Sequence, residues 1–445
     1  MPTKLFIKLA IYLFSLGNIV SYSQSEMRFI GHHSYQKIPF ETHNNLIVIP
    51  VTLNGKELSF ILDTGASRSI IFSLGSTDSI TLNNSKKIKI RGLGLGEPIE
   101  GIISKENIIK IKNIMGIHQT MYVIMGDRFD LSSRMGKTIH GVIGYDLLKN
   151  FVTKIDYRRK QVTFYDPAKF DPPKSKYQKF TFNFHHKKPY IDALVSISDN
   201  TKHGVKLLLD SGNSDAIWLF EDAKNGISIR NKYFIDHIGE GLSGSIDGKR
   251  SKIQSFRLGT FVFHQPTVAF LDSTASSYAR AYESRNGSIG ARILNRFTVI
   301  LDYPNQRVYL KKTRRFDKEF KYNRAGIELA YIGKTLVRSK HYESKTILGN
   351  QHVNETNSVH FEIDYQYDFK PLYAIYKIRP GSPADKAGLK INDIINRING
   401  KPAYEYNKLQ KLINLFYGDD GSTIRLTVER NSALFYYEFQ LKKPL

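Results

Sequence analysis

Cysteine is absent from the 445 residues, so neither a disulfide nor a lipid anchor on an amino-terminal Cys is possible. Acidic residues are few: 41 Asp and Glu against 65 Lys and Arg leave a formal charge of +24. The excess is spread along the chain, with only short runs such as Tyr157-Arg158-Arg159-Lys160 and Lys311-Lys312-Thr313-Arg314-Arg315. That pattern reads as a solvated basic surface, not as a nucleic-acid-binding block. Long apolar runs are missing too. The longest, residues 9–20, falls short of the ~20 residues a membrane span needs, so no span is expected in the mature chain. No Gly-rich stretch ends in Gly-Lys-Ser/Thr, and no His-Glu-x-x-His occurs. The pairs His32-His33 and His185-His186 lack metal-ligand spacing. No metal and no cofactor is called for.

What is present is a β-rich composition: 41% hydrophobic, with 27 Phe and 26 Tyr. The length suits roughly three domains. Residues 1–23 have the features of a secretory signal, with Lys4 and Lys8 before the apolar run and Ser21-Tyr22-Ser23 before Gln24. Export of a soluble, disulfide-free protein to a bacterial periplasm or exterior is expected.

One phrase occurs twice, as Phe60-Ile61-Leu62-Asp63-Thr64-Gly65-Ala66 and Leu207-Leu208-Leu209-Asp210-Ser211-Gly212-Asn213. The first follows strand-like runs at residues 46–51 and 58–62, joined at Asn54-Gly55. The second follows residues 191–198 and 205–209, with Asp199-Asn200 in the turn. Downstream, Gly141-Val142-Ile143-Gly144 recurs as Gly287-Ser288-Ile289-Gly290, and the run from Phe151 recurs from Phe297, both at an offset of 146 residues. Asp63 and Asp210 are 147 apart, so a single loop residue absorbs the difference. A duplication is the reading. Each half also carries a glycine-rich hairpin after its Asp, around Gly92-Leu93-Gly94 and Gly241-Leu242, where glycine permits positive φ.

Two carboxylates about 3 Å apart cannot both ionise, so they share a proton; one deprotonates a water while the other protonates a peptide carbonyl oxygen. Gly65 and Gly212 allow a close backbone approach, and the Thr64 and Ser211 hydroxyls can brace the two loops. For one copy alone, strand-to-turn punctuation would be the plainer reading.

On these residues, positions 38–312 resemble a two-lobed aspartic protease of the pepsin/retropepsin kind. The resemblance implies two duplicated acid-protease β-barrel lobes (24–178 and 179–315), Asp63 and Asp210 as the catalytic pair, and glycine-rich flaps over an extended peptide. Ser288 stands where the pattern is apolar, Asn213 where it has Ala, Ser or Thr, and neither flap carries a tyrosine; Leu93 and Leu242 take that place. Further on, Gly381-Ser382-Pro383-Ala384, Ala387-Gly388-Leu389, Asn392-Asp393-Ile394-Ile395 and Ile398-Asn399-Gly400 resemble a bacterial PDZ domain (322–445), an α+β fold that binds peptides by strand addition. Gly326, Ile327 and Leu329 fall at its expected peptide-binding loop. Residues 331–367 read as a polar stretch with a long loop, and a helix is expected at 406–416.

The expected function is an exported aspartic endopeptidase with a PDZ domain that recognises substrate or another peptide ligand. The alternative is a catalytically inactive peptide-binding protein on the same folds. A serine nucleophile at Ser214 is excluded, because no glycines follow it to form an oxyanion hole.

Overall fold

Asn54 and Gly55 both take positive φ, 48° and 87°, the handedness that a two-residue hairpin requires. The strands Leu46–Leu53 and Lys56–Leu62 therefore pair antiparallel, and the second delivers Asp63 at its end. The copy is built alike: Lys188–Ser196 pairs with His203–Leu209, which ends at Asp210. The turn residues 199–200 lie outside the residues described by this computed structural model, as do 1–25, 73–79, 91–97, 125–130, 242–243, 278 and 348–357. The expected signal segment falls among them.

The chain is mainly β, as expected, with short helices. A nine-stranded sheet gathers strands between Met27 and Ile143, and a ten-stranded sheet gathers those between Asn183 and Ile289. A six-stranded sheet joins the two lobes. At its centre Val152–Asp156 pairs antiparallel with Phe297–Asp302, and Lys154 stands opposite Ile300. Those two residues are each other's copies in the 146-residue register, so the pseudo-two-fold axis passes between them. The strand Gln178–Thr181 already belongs to the second lobe's side of this sheet, against Arg307–Lys312.

One apolar core runs through both lobes, with Phe60, Phe164, Phe182, Phe256 and Phe297 fully enclosed; it also takes in Phe316 and Phe320. Burial of that surface, worth about 25 cal/mol per Å², fixes the lobes against each other. Tyr322, expected to begin the last domain, is anchored in the second lobe instead. Its hydroxyl accepts from the Val268 N–H at 3.2 Å and donates to the Ser251 carbonyl.

The last domain has a separate core running from Ala325 to Leu441, under a six-stranded sheet. The Ser382 hydroxyl caps the helix Pro383–Lys386, and buried Asp393 is held by Arg430 through bonds of 2.6 and 2.8 Å. The helix expected at 406–416 is confined to Leu409–Leu415, because Asn407 turns left-handed (φ 57°) after a 3-10 turn at Ala403–Tyr406. Of the stretch 331–367, expected to include a long loop, residues 348–357 lie outside the described residues and the rest is strand. Ile327–Ile347 pairs with Ser358–Ile378 in one antiparallel ribbon that runs well past the domain. Val359, Phe361, Ile363, Tyr365, Tyr367 and Phe369 alternate with polar residues, which is the period of a strand. Among the described residues no helix is long and apolar enough to cross a membrane.

Candidate active site

Each Asp is set by the parallel strand beside it. The Asp63 N–H donates to the Ile143 carbonyl at 2.9 Å and the Asp210 N–H to the Ile289 carbonyl at 3.0 Å. Each carboxylate then accepts from the glycine two residues on, Asp63 from Gly65 at 2.7 Å and Asp210 from Gly212 at 3.1 Å. The glycines are obligatory for packing. A Cβ on Gly65 would come 2.7 Å from the Asp210 carboxylate, and one on Gly212 would fall on the Asp63 carboxylate.

The hydroxyls brace the loops across the lobe boundary. Thr64 Oγ1 donates to the Leu209 carbonyl (2.6 Å) and accepts from the Ser211 N–H (2.9 Å). Ser211 Oγ donates to the Leu62 carbonyl (2.8 Å) and accepts from the Thr64 N–H (3.0 Å). Thr64 and Ser211 are buried, so these four bonds are sheltered from competing water. Tyr303, beneath them, donates to the Thr64 carbonyl at 3.4 Å.

The Asp63 and Asp210 carboxyls face each other, each packed against the other loop's glycine. Burial, then the Asp210 charge, pushes Asp63 up to about 7. Burial also raises Asp210, but Arg285 and Lys188 oppose the shift there. The surroundings of the pair are therefore asymmetric, with Arg285 favouring the anion on Asp210.

The source of that asymmetry is a cluster the sequence reading missed. Arg285 is 5% exposed and donates to the Gly287 carbonyl (3.2 Å) and to Ser288 Oγ (2.8 Å). This accounts for Ser288, the polar residue in an apolar run; a buried serine there was the one signal pointing to a hidden donor. Asn213, the other departure, turns away from this role. Its Oδ1 accepts from the Asp215 N–H at 2.9 Å, and its buried Nδ2 has no partner among the described residues.

The Asp210 loop continues to Asp215, which accepts from Trp218 Nε1 (2.9 Å) and Arg250 Nη1 (2.8 Å). Arg250 Nε reaches Asp236 at 2.8 Å. Arg250 and Asp236 stand on the two strands of the second glycine-rich hairpin, Phe234–Gly241 and Gly244–Lys252, so the Asp210 loop and this hairpin share one ion-pair knot. Ser214, considered as a nucleophile, gives its carbonyl to Asn45 Nδ2. His185 stacks on Tyr282 with ring centroids 3.9 Å apart.

Of the expected flap residues, Gly241 pairs with Gly244 and lines the cleft. Gly92, Leu93, Gly94 and Leu242 lie outside the described residues. In the last domain Gly326 takes positive φ (80°), and its N–H is occupied by Asn323 Oδ1 at 2.9 Å. The Ile327 and Leu329 side chains belong to that domain's core. These three nevertheless line the same cavity as Asp63 and Asp210. It measures about 1280 Å³ and runs from the two aspartates to the groove between the start of Ile327–Ile347 and the helix Leu409–Leu415.

Compared with known families, residues 49–147 match the aspartyl protease family and residues 375–430 match the PDZ domain family. No curated protein matches the chain significantly. The first match takes in Asp63 and its Ile143-Gly144 support. The second lobe lies outside it, and its likeness to the first rests on the repeat and the shared geometry described above.

Proposed function

We propose that this chain, which carries an aspartyl protease domain and a carboxyl-terminal PDZ domain, is an exported aspartic endopeptidase acting through Asp63 and Asp210. One observation carries the reading: two half-buried carboxyls face each other, each seated against the other lobe's glycine. Asp210, favoured as the anion by Arg285 and Lys188, takes a proton from water as its oxygen attacks the peptide carbonyl carbon. Asp63 gives its proton to the carbonyl oxygen. In the collapse of the tetrahedral diol, a proton returns through Asp210 to the leaving nitrogen and Asp63 recovers its own. The one-proton pair this needs persists up to about pH 7, since that is where Asp63 titrates. Activity is expected from mildly acidic to near-neutral pH.

Asp63→Asn and Asp210→Asn, each folded, are expected to lose at least about 1000-fold in kcat on an unfolded polypeptide. Full turnover by either variant would sink the shared-proton mechanism. Binding of peptides by the wild type without cleavage, at every pH from 4 to 8, would favour the non-catalytic alternative. The export part of the proposal is supported by the signal-like residues 1–23, and mass spectrometry of the mature amino terminus tests it against a start at Gln24.

A further inference from the structure

Two cations stand beside the aspartates with one compensating charge between them. The pair, holding one proton, carries a single negative charge. Lys188 and Arg285 both lie close enough to Asp210 to bias its ionisation, and Lys188 also acts on Asp63. Arg285 has its donors directed to Gly287 and Ser288. Lys188 lines the cleft, is desolvated by its surroundings, and has no ion-pair partner among the described residues. This end of the cleft is thus one positive charge in excess in a partly dehydrated place, which is unfavourable until an anion arrives.

The opposite end is different. There Arg250 is paired with Asp215 and Asp236, and Arg134 faces Glu328. The walls around Lys188 are aromatic: Tyr190 packs on Tyr282 at 4.9 Å, and Tyr282 stacks on His185. All five residues come from the second lobe, from 185–190 and 282–285. A slot with apolar sides and a cation at its end accepts a short side chain whose stem is apolar and whose tip is negative.

We propose that Lys188, with Arg285 behind it and Tyr190 and Tyr282 as walls, forms a substrate subsite for an acidic side chain next to the cleaved bond. The inference rests on Asp63 and Asp210 being the reacting pair. The substrate class is then polypeptide with Glu or Asp at a position flanking the scissile bond. Such a side chain, with an ordinary pKa of about 4.3, is ionised at mildly acidic to near-neutral pH, below the point near 7 where Asp63 titrates.

The test compares peptides that differ only as Glu, Gln or Lys at each position flanking the cleaved bond. The wild type is expected to favour Glu over Gln by about tenfold or more in kcat/KM at one position, and Lys188→Arg to keep that preference. Lys188→Met should bring the ratio near one, and Lys188→Glu should invert the order towards Lys. Calorimetric binding of the same peptides to Asp63→Asn gives a second reading that needs no turnover. Discrimination in binding without any cleavage by the wild type would leave the subsite standing and remove the endopeptidase reading. An unchanged Glu-to-Gln ratio in Lys188→Met, with only a displaced pH profile, would overturn the subsite and make Lys188 a counter-charge to the aspartates.

Discussion

At the residue scale, the position of one proton links stability to activity. Asp63 moves from 3.8 to about 7 on folding because it is buried and faces Asp210. The folded chain therefore holds a proton that the unfolded chain releases. This contribution to stability is complete below about pH 4 and is lost as pH rises through about 7. Asp63→Asn removes the dependence, since an amide is neutral throughout. Its melting temperature is expected to match the wild type near pH 4 and to exceed it by several degrees at pH 8, in paired thermal scans. Comparing variant with parent at each pH cancels the effect of the large net positive charge, which both share. Equal differences at the two pH values would mean that Asp63 ionises normally. Asp63, Thr64 and Gly65 were legible in sequence because chemistry and packing both demand those residue types in one tripeptide. Arg285 and Lys188 were not, because one reaches the site from the segment before Gly287–Ile289 and the other from the start of Lys188–Ser196, and together they leave no local pattern. Only the buried Ser288 hinted at the first.

At the scale of elements, the flap is tied to the chemistry by Arg250. Its guanidinium joins Asp215, at the exit of the Asp210 loop, to Asp236 on the neighbouring flap strand, and all three are largely enclosed. Removing one partner from such a knot strands the others without charge compensation. Arg250→Met is expected to cost about 3–5 kcal/mol in stability and to speed amide exchange in Phe234–Gly241 and Gly244–Lys252. Exchange unchanged in those strands would show that backbone pairing alone holds the flap. The repeat predicted two flap hairpins, because glycines recur at matching distances from each Asp. The long ribbon of the last domain escaped for the opposite reason. Its strand at residues 327–347 mixes Lys, Arg, Ser and Thr without a clean period, while the alternation lies wholly in its partner at 358–378. A strand pair is only as legible as its less regular member.

At the scale of the molecule, the groove of the last domain and the cleft that holds the two aspartates share one cavity, with the first lobe set against the groove's walls. The Asn44 N–H donates to Gln410 Oε1 on the groove helix at 2.9 Å, and Arg134 faces Glu328 on the groove strand at 4.0 Å. Three folding units could be counted from sequence, since each has its own motif. Their mutual placement could not, because it depends on single side chains such as Gln410, Arg134 and Glu328 that belong to no pattern. The core also redraws the boundary: Phe316 and Phe320 pack with the lobes, so a truncation that removes them damages the protease itself. A point substitution in the groove is the cleaner probe. Ile413 lines the shared cavity from the groove helix and is only partly enclosed. If the groove holds part of the polypeptide while another part is cut, Ile413→Asp should raise KM about tenfold for a long unfolded substrate, a loss of about 1.4 kcal/mol. Its kcat and KM on a short peptide that fills the cleft alone should stay near wild type. An equal loss on both substrates would instead mean that the groove acts by holding the lobes in place.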